Sequence, residues 1–141
     1  MSPEQFILDA QKVTDRFGKW PDFHDSEIVR MSLDRTGSLG PTLEFTLFGW
    51  GWNGVVLPSG FYDRPHLSLI RFRCDGLEED GEFGGFNHQN VLNGLHFDQL
   101  DGLVAVELSS IFGVGGKFKC RSVTVVDVAA ATEQGQPAGE E

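Results

Sequence analysis

A chain of 141 residues, 40% apolar with 12 Phe and 18 Gly, is the size of one domain and has the composition of a turn-rich globular fold. That excludes both an intrinsically disordered chain and two independent cores. A formal charge of −10 at pH 7 argues against nucleic acid and membranes as partners, and no apolar run approaches the roughly 20 residues that span a bilayer. No basic segment leading into an apolar stretch opens the chain, so a cytoplasmic protein is expected.

Ser2, Pro3 and Gln5 have the form of a capping box with proline in the first turn, and Phe6, Ala10, Val13 and Phe17 follow at i, i+4, i+7 and i+11. The spacing predicts one amphipathic helix over residues 3–17, stopped by Gly18 and laid by its apolar stripe on a sheet. Directly behind it, Trp20-Pro-Asp-Phe-His-Asp-Ser-Glu-Ile28 crowds aromatics, carboxylates and a histidine into a connecting segment.

From Glu27 the period becomes two. Val29, Met31 and Leu33 alternate with Arg30, Ser32 and Asp34, and Leu43, Phe45 and Leu47 with Glu44 and Thr46; Thr36-Gly-Ser-Leu-Gly-Pro41 joins the runs as a loose hairpin. Residues 48–62 mix Gly, Trp and other aromatics with Asn53-Gly54 and Pro58-Ser59-Gly60, which predicts an aromatic-bearing excursion. Residues 66–73 carry apolar groups on both faces, as a central strand does. Residues 95–100 and 103–109 flank Asp101-Gly102, a two-residue hairpin signal that sets Leu95 opposite Leu108, Phe97 opposite Val106 and His96 opposite Glu107.

Gly113-Val-Gly-Gly116 leads into strand residues and not into a helix, so it reads as a bulged turn and not a phosphate loop. A last strand is predicted over residues 118–128, with 123–126 buried on both sides. Residues 129–141 lack periodicity and large apolar side chains and are expected to be a disordered tail. Cys74 and Cys120, without metal-type spacing, are expected to be buried reduced thiols. The expected fold class is mainly β: a single domain over residues 1–128, an antiparallel sheet or sandwich with strands from about residue 27 to 128 and the N-terminal helix packed on it.

His24, Asp25 and Glu27 invite a metal or general-base reading, since imidazole and carboxylates are the usual ligands and proton carriers. The spacing opposes it: neighbouring strand residues point to opposite faces, and no His-x-His or His-x-x-x-His pair supplies a second local ligand. The preferred reading is a structural junction. Trp20 and Phe23 are buried beneath the helix, Pro21 fixes the turn, Asp22 is solvated, and partly buried His24 and Asp25 bond backbone groups at the strand entry.

The second dense segment, Gly85-Phe-Asn-His-Gln-Asn-Val-Leu92, sets Phe86 before the four polar side chains Asn87, His88, Gln89 and Asn90. Amides organise backbone but are poor nucleophiles, and His88 has no adjacent Ser or Cys to activate. A loop or single helical turn ended by Gly94 is predicted. Neither segment yields a catalytic residue, a metal ligand or a cofactor site, and no enzyme is expected. The alternative is a small metal-dependent hydrolase using His24, Asp25 and His88.

At these two segments the chain resembles the immunity protein 50 family of bacterial polymorphic toxin systems. Phe17-Gly-Lys-Trp-Pro-Asp-Phe-His-Asp-Ser-Glu-Ile28 resembles that family's aromatic-Pro-x-Phe-His-Asp-acid signature, and residues 85–92 resemble its second signature. Phe118-Lys-Cys-Arg-Ser-Val123 is similar to its closing strand. The resemblance implies a mostly β protein that binds and silences a cognate bacterial toxin in the cell that makes both, and it carries over no catalytic residue.

The charge pattern fits that expectation. Between Arg73 and Lys117 there is no Lys or Arg, while Asp75, Glu78, Glu79, Asp80, Glu82, Asp98, Asp101 and Glu107 fall there. Such a window would steer a basic partner, a nuclease-type toxin above all, with carboxylates standing in for phosphates; the alternative is an ordinary acidic surface. Glu78, Glu79, Asp80 and Glu82 are the first candidates for toxin contact. Trp50 and Trp52 are either exposed anchors for the partner or a lid on the core. A third possibility is a β-rich oligomer with no toxin partner.

Overall fold

The structure is a computed structural model and describes residues 2–138. Its strands are β1 (Glu27–Asp34), β2 (Thr42–Gly49), β3 (Ser68–Asp75), β4 (Glu82–Gly84), β5 (Val91–Leu100), β6 (Leu103–Phe112), β7 (Gly115–Cys120) and β8 (Ser122–Ala130). All pair antiparallel in the order β4-β7-β6-β5-β1-β2-β3-β8. The mainly β fold with an N-terminal helix is therefore as expected.

The sheet has two halves. Neighbouring strands within each share five to nine register pairs, apart from the short β4, whereas β1 and β5 share only Glu27↔Val91. That hinge lets the sheet fold over itself. In a flat sheet β3 and β5, three strand spacings apart, would be about 14 Å from each other, yet the rings of Phe72 and Phe97 lie 5.4 Å apart. Cys74 of β3 likewise shares one buried core cluster with Cys120 of β7, five strands away in the order.

One core fills the fold, built from alternate residues of both halves: Leu43, Phe45, Leu47, Ile70 and Phe72 against Leu92, Phe97, Val106 and Leu108. Phe45 stacks on Phe72 with centroids 5.2 Å apart. Period-two patterning produced this directly, since each half needs one apolar face turned inward. The hairpin register is also as read: Leu95↔Leu108, His96↔Glu107 and Phe97↔Val106. Asp101 and Gly102 both take positive φ, 53° and 79°, as a tight turn matched to strand twist requires.

The helix expectation is corrected. Residues 3–17 do not form one helix: Pro3–Gln5 is a 3₁₀ turn without a side-chain cap, and the α-helix, α1, is only Gln11–Phe17. Leu8 breaks the run, bridging Thr124 in parallel, its N–H donating to Val123 O at 2.9 Å and its carbonyl accepting from Val125 N at 2.9 Å. An edge strand offers unpaired backbone groups, and satisfying β8's edge outweighed helix propensity. Arg16 then pins α1 to the β3 entry through Ser68 Oγ (2.8 Å) and Leu67 O (3.1 Å).

Three further boundaries differ. The last strand is split at Arg121, whose N–H donates to Asp75 O at 2.8 Å as the chain turns from β7 into β8. Gly94 does not end a turn; it lies within β5 at a register shift. The tail expected to be disordered from residue 129 continues β8 through Ala130 and folds back, Thr132 N bonding Gln136 O and Ala131 bridging Pro137; residues 139–141 lie outside the described residues.

Candidate interaction surfaces

The two dense polar segments meet at the hinge. Asp25 N donates to Leu92 O, Leu92 N to Ser26 O and Ile28 N to Asn90 O, each at 2.9 Å. Residues 23–28 and 90–92 thereby form the seam that joins the half-sheets. Asn90, 3% exposed, is its hub. Its Nδ2 donates to Asn87 O (2.7 Å) and Ile28 O (3.2 Å), and its Oδ1 accepts from Asn87 N (2.9 Å) and Val114 N (3.1 Å). Four polar partners for one buried amide leave nothing unsatisfied.

Gly113 stands at φ 76°, where a Cβ would come 2.4 Å from Asn90 Oδ1, so the approach of the β6–β7 turn to the hub depends on that glycine. Around it, Asn87 Oδ1 accepts from Gln89 N at 2.8 Å, while Phe86, His88 and Gln89 are exposed.

On the other strand of the seam, Phe23 is buried, and Trp20 is half-buried with its ring edge-on to Phe23, Phe72 and Phe97. Its packing partners are core aromatics contributed by both halves. Phe23 and Asp25 take φ of 61° and 66°, an uncommon conformation for side chains of their size, held by the seam bonds and by the Ser26 hydroxyl donating to Phe23 O.

The expected partial burial of His24 and Asp25 is corrected: both are exposed, with His24 Nδ1 3.3 Å from Asp25 Oδ2. Ser26 is the buried polar residue instead, and Glu27 is half-buried in β1. Asp22, though solvent-exposed as read, also accepts from His24 N at 2.9 Å. Among the described residues no group of three or more His, Cys, Asp or Glu side chains is placed to hold a metal ion, His24, Asp25 and His88 included.

The acidic candidates Glu78, Glu79, Asp80 and Glu82 are all exposed, the first three in the loop after β3 and the last opening β4. None forms an ion pair among the described residues. The wider acidic window is less uniform than its sequence. Pairing sets His96, Glu107, Lys117 and Glu82 in one row across β5, β6, β7 and β4, with Lys117 Nζ 4.0 Å from Glu107 Oε2. In the next row Ala105 lies between Asp98 and Lys119 and floors a shallow recess of about 370 Å³. A stretch without cations in sequence thus acquires them from β7.

Trp50 and Trp52 separate. Trp50 is half-buried against Phe48 (centroids 5.5 Å apart), with the Arg64 guanidinium 4.7 Å above its ring. Trp52 is 60% exposed and packs edge-on to Tyr62 at 4.6 Å. They belong to the excursion between β2 and β3, at the end of β3 opposite the acidic loop, and the eight residues of β3 span about 25 Å.

That excursion presents more than its tryptophans. Of fourteen exposed large hydrophobic residues among the described residues, six fall between positions 52 and 62: Trp52, Val55, Val56, Leu57, Phe61 and Tyr62. Of the six, Trp52 alone is a contact candidate from the sequence. The signal was there in Val-Val-Leu-Pro-Ser-Gly-Phe-Tyr, a turn flanked by unalternating apolar residues, which a half-buried strand would not carry.

A family model described as Immunity protein 50 matches residues 9–130, a span that takes in both seam segments and every strand. Comparison with curated proteins and with solved structures gives no match.

Proposed function

The chain belongs to the immunity protein 50 family, and on that premise we propose that it is a stoichiometric inhibitor that binds a cognate bacterial toxin, a basic nuclease-type domain, and occludes its active site. The family match carries the reading. The exposed carboxylates of Glu78, Glu79 and Asp80, which form no ion pair among the described residues, support its electrostatic part. On a chain of net charge −10 they would accelerate encounter with a cationic surface and occupy positions that phosphates take in a nuclease. Protection would be exerted in the cytoplasm of the producing cell, by binding and without turnover.

The seam residues support a non-enzymatic role. The side chains of Asn90, Asn87 and Ser26 spend their polar groups on backbone partners, which is what a preorganised scaffold requires. The test is titration of the purified protein with the toxin domain encoded beside it, together with survival of cells challenged by that toxin. A one-to-one complex is expected, and neutralising the loop as Glu78→Gln, Glu79→Gln and Asp80→Asn should slow association about tenfold at low salt with little effect near 0.5 M. Absence of a complex, or survival of challenged cells that lack this chain, would refute the reading.

A further inference from the structure

We propose that residues 52–62 form a preformed apolar tongue that inserts into an uncharged, apolar cleft of the cognate toxin and supplies most of the lifetime of the complex; this rests on the toxin-inhibitor reading above. The tongue is built, not loose. Val56 bridges Tyr62, Leu57 N bonds Phe61 O (2.7 Å), Gly60 N bonds Leu57 O (2.8 Å) and Asp63 N bonds Val55 O (2.8 Å). Asn53 cross-braces the base, its Nδ2 donating to Asp63 Oδ2 at 2.8 Å and its Oδ1 accepting from Val55 N at 2.9 Å. Gly51 N to Pro65 O, 2.8 Å, closes the neck.

These bonds fix the backbone while the apolar side chains stay exposed, outside the core, with the rings of Trp52 and Tyr62 packed edge-on to each other. Phe61 is 75% exposed and Tyr62 58%. A braced loop that spends aromatic side chains on water has the anatomy of a binding anchor, because large rigid side chains bury area at small entropic cost and prior bracing lowers the cost of ordering.

Charge identifies the occupant. Residues 54–62 carry no charged side chain, in a chain of net −10. A second copy docking tongue to tongue would bring two strongly acidic molecules together, and an anionic bilayer would repel the same charge. A cationic toxin domain meets no such penalty, so the overall charge draws in the partner that the neutral tip then grips.

The experiment uses the full chain and, as probe, the toxin domain encoded beside it in a catalytically inactivated form. Phe61 makes no ring contact with another aromatic side chain among the described residues, so Phe61→Ser should leave the melting temperature unchanged. It should weaken toxin binding about 30-fold, chiefly by faster dissociation, and adding Trp52→Ser should bring the loss beyond about 100-fold. Trp52 fluorescence, isolated against a Trp52→Phe control, should shift to the blue as the complex forms.

If the wild-type chain binds the toxin and both serine variants bind within about threefold of it, the tongue proposal is overturned while the inhibitor reading stands. It is equally overturned if sedimentation shows the free protein dimerising through Phe61, or if the protein co-sediments with phosphatidylcholine–phosphatidylglycerol vesicles in a Phe61-dependent way. If the wild-type chain gives no complex at all, the inhibitor reading fails and takes the tongue with it.

Discussion

Replacing Asn90 tests whether the seam is what holds the two half-sheets in register. In Asn90→Ala the four side-chain hydrogen bonds vanish together. The partners on Asn87 lie on an exposed residue and can turn to water, but Val114 N and Ile28 O belong to residues that are fully buried. Each buried polar group left without a partner costs about 1–3 kcal/mol, so the loss should be about 2–6 kcal/mol. Against a total stability of about 5–15 kcal/mol that is a large fraction. At about 3 °C per kcal/mol the melting temperature should fall by about 6–18 °C.

Asn90→Asp sharpens the test because it keeps the shape and both acceptor bonds. It sets a carboxylate oxygen against the carbonyls of Ile28 and Asn87, where Nδ2 now donates. Burial and those carbonyls favour the protonated acid, raising its native pKa above the unfolded value. Stability is then fully retained below the ordinary carboxylate pKa and lost as pH rises through the native one, so the deficit should be small near pH 4 and largest at neutral pH. Urea denaturation at both pH values, with unchanged m-values, measures it. An alanine variant within about 1 kcal/mol of the wild type, or an aspartate variant equal to it at pH 7.5, would refute the hub.

Two further outcomes follow from the same region and from the thiols. Asp25 holds φ at 66° while its side chain is exposed, so Asp25→Gly should raise stability by about 0.5–1 kcal/mol in urea denaturation and leave toxin protection intact; destabilisation would mean that the side chain, not the backbone conformation, matters there. The hydrogen bond to Cys120 and burial push the Cys74 thiol well above its ordinary pKa. Alkylation by iodoacetamide at pH 8 should therefore be negligible in the native protein and complete in urea. The native state retains a proton that the unfolded chain loses, so this contribution is complete below the ordinary thiol pKa and declines as pH climbs from there toward the raised native value; rapid native labelling of Cys74 would contradict the burial.

What the sequence disclosed follows from which interactions are local. Strand faces and the β5–β6 register were legible because period-two alternation and the Asp101-Gly102 turn act over adjacent residues. The helix was over-read because its competitor is remote: Leu8 left the helical run to satisfy β8, more than a hundred positions away. The C-terminal stretch was misread for a similar reason, its order coming from pairing with Leu67 and from a short turn back on itself, and not from composition. Asn90 was placed in a backbone-organising segment, but no spacing rule connects it to Ile28 and Val114. Charge was legible only in part: Glu78, Glu79, Asp80 and Glu82 are exposed, but Lys117 and Lys119 come beside Glu107 and Ala105, in the rows of His96 and Asp98, only after the hairpins form.

The division between seam and periphery bears on how such a protein can inhibit. Residues 23–28 and 90–92 are consumed in joining the half-sheets, so on the inhibitor reading proposed above whatever distinguishes one toxin from another would have to be read by parts that the fold leaves free. Two such parts stand out, and β3 separates them by about 25 Å, three times the Debye length of about 8 Å at physiological ionic strength. The acidic loop therefore cannot strengthen a contact made at the tongue through solvent; on the proposed reading it would act on a partner before docking, or on one broad enough to touch both ends. A standard interface of about 800 Å² per partner is roughly 30 Å across, so a single toxin domain can do so. Steering and gripping would then reside in different residues, and loop variants should change association rates while tongue variants change dissociation, with free energies that add.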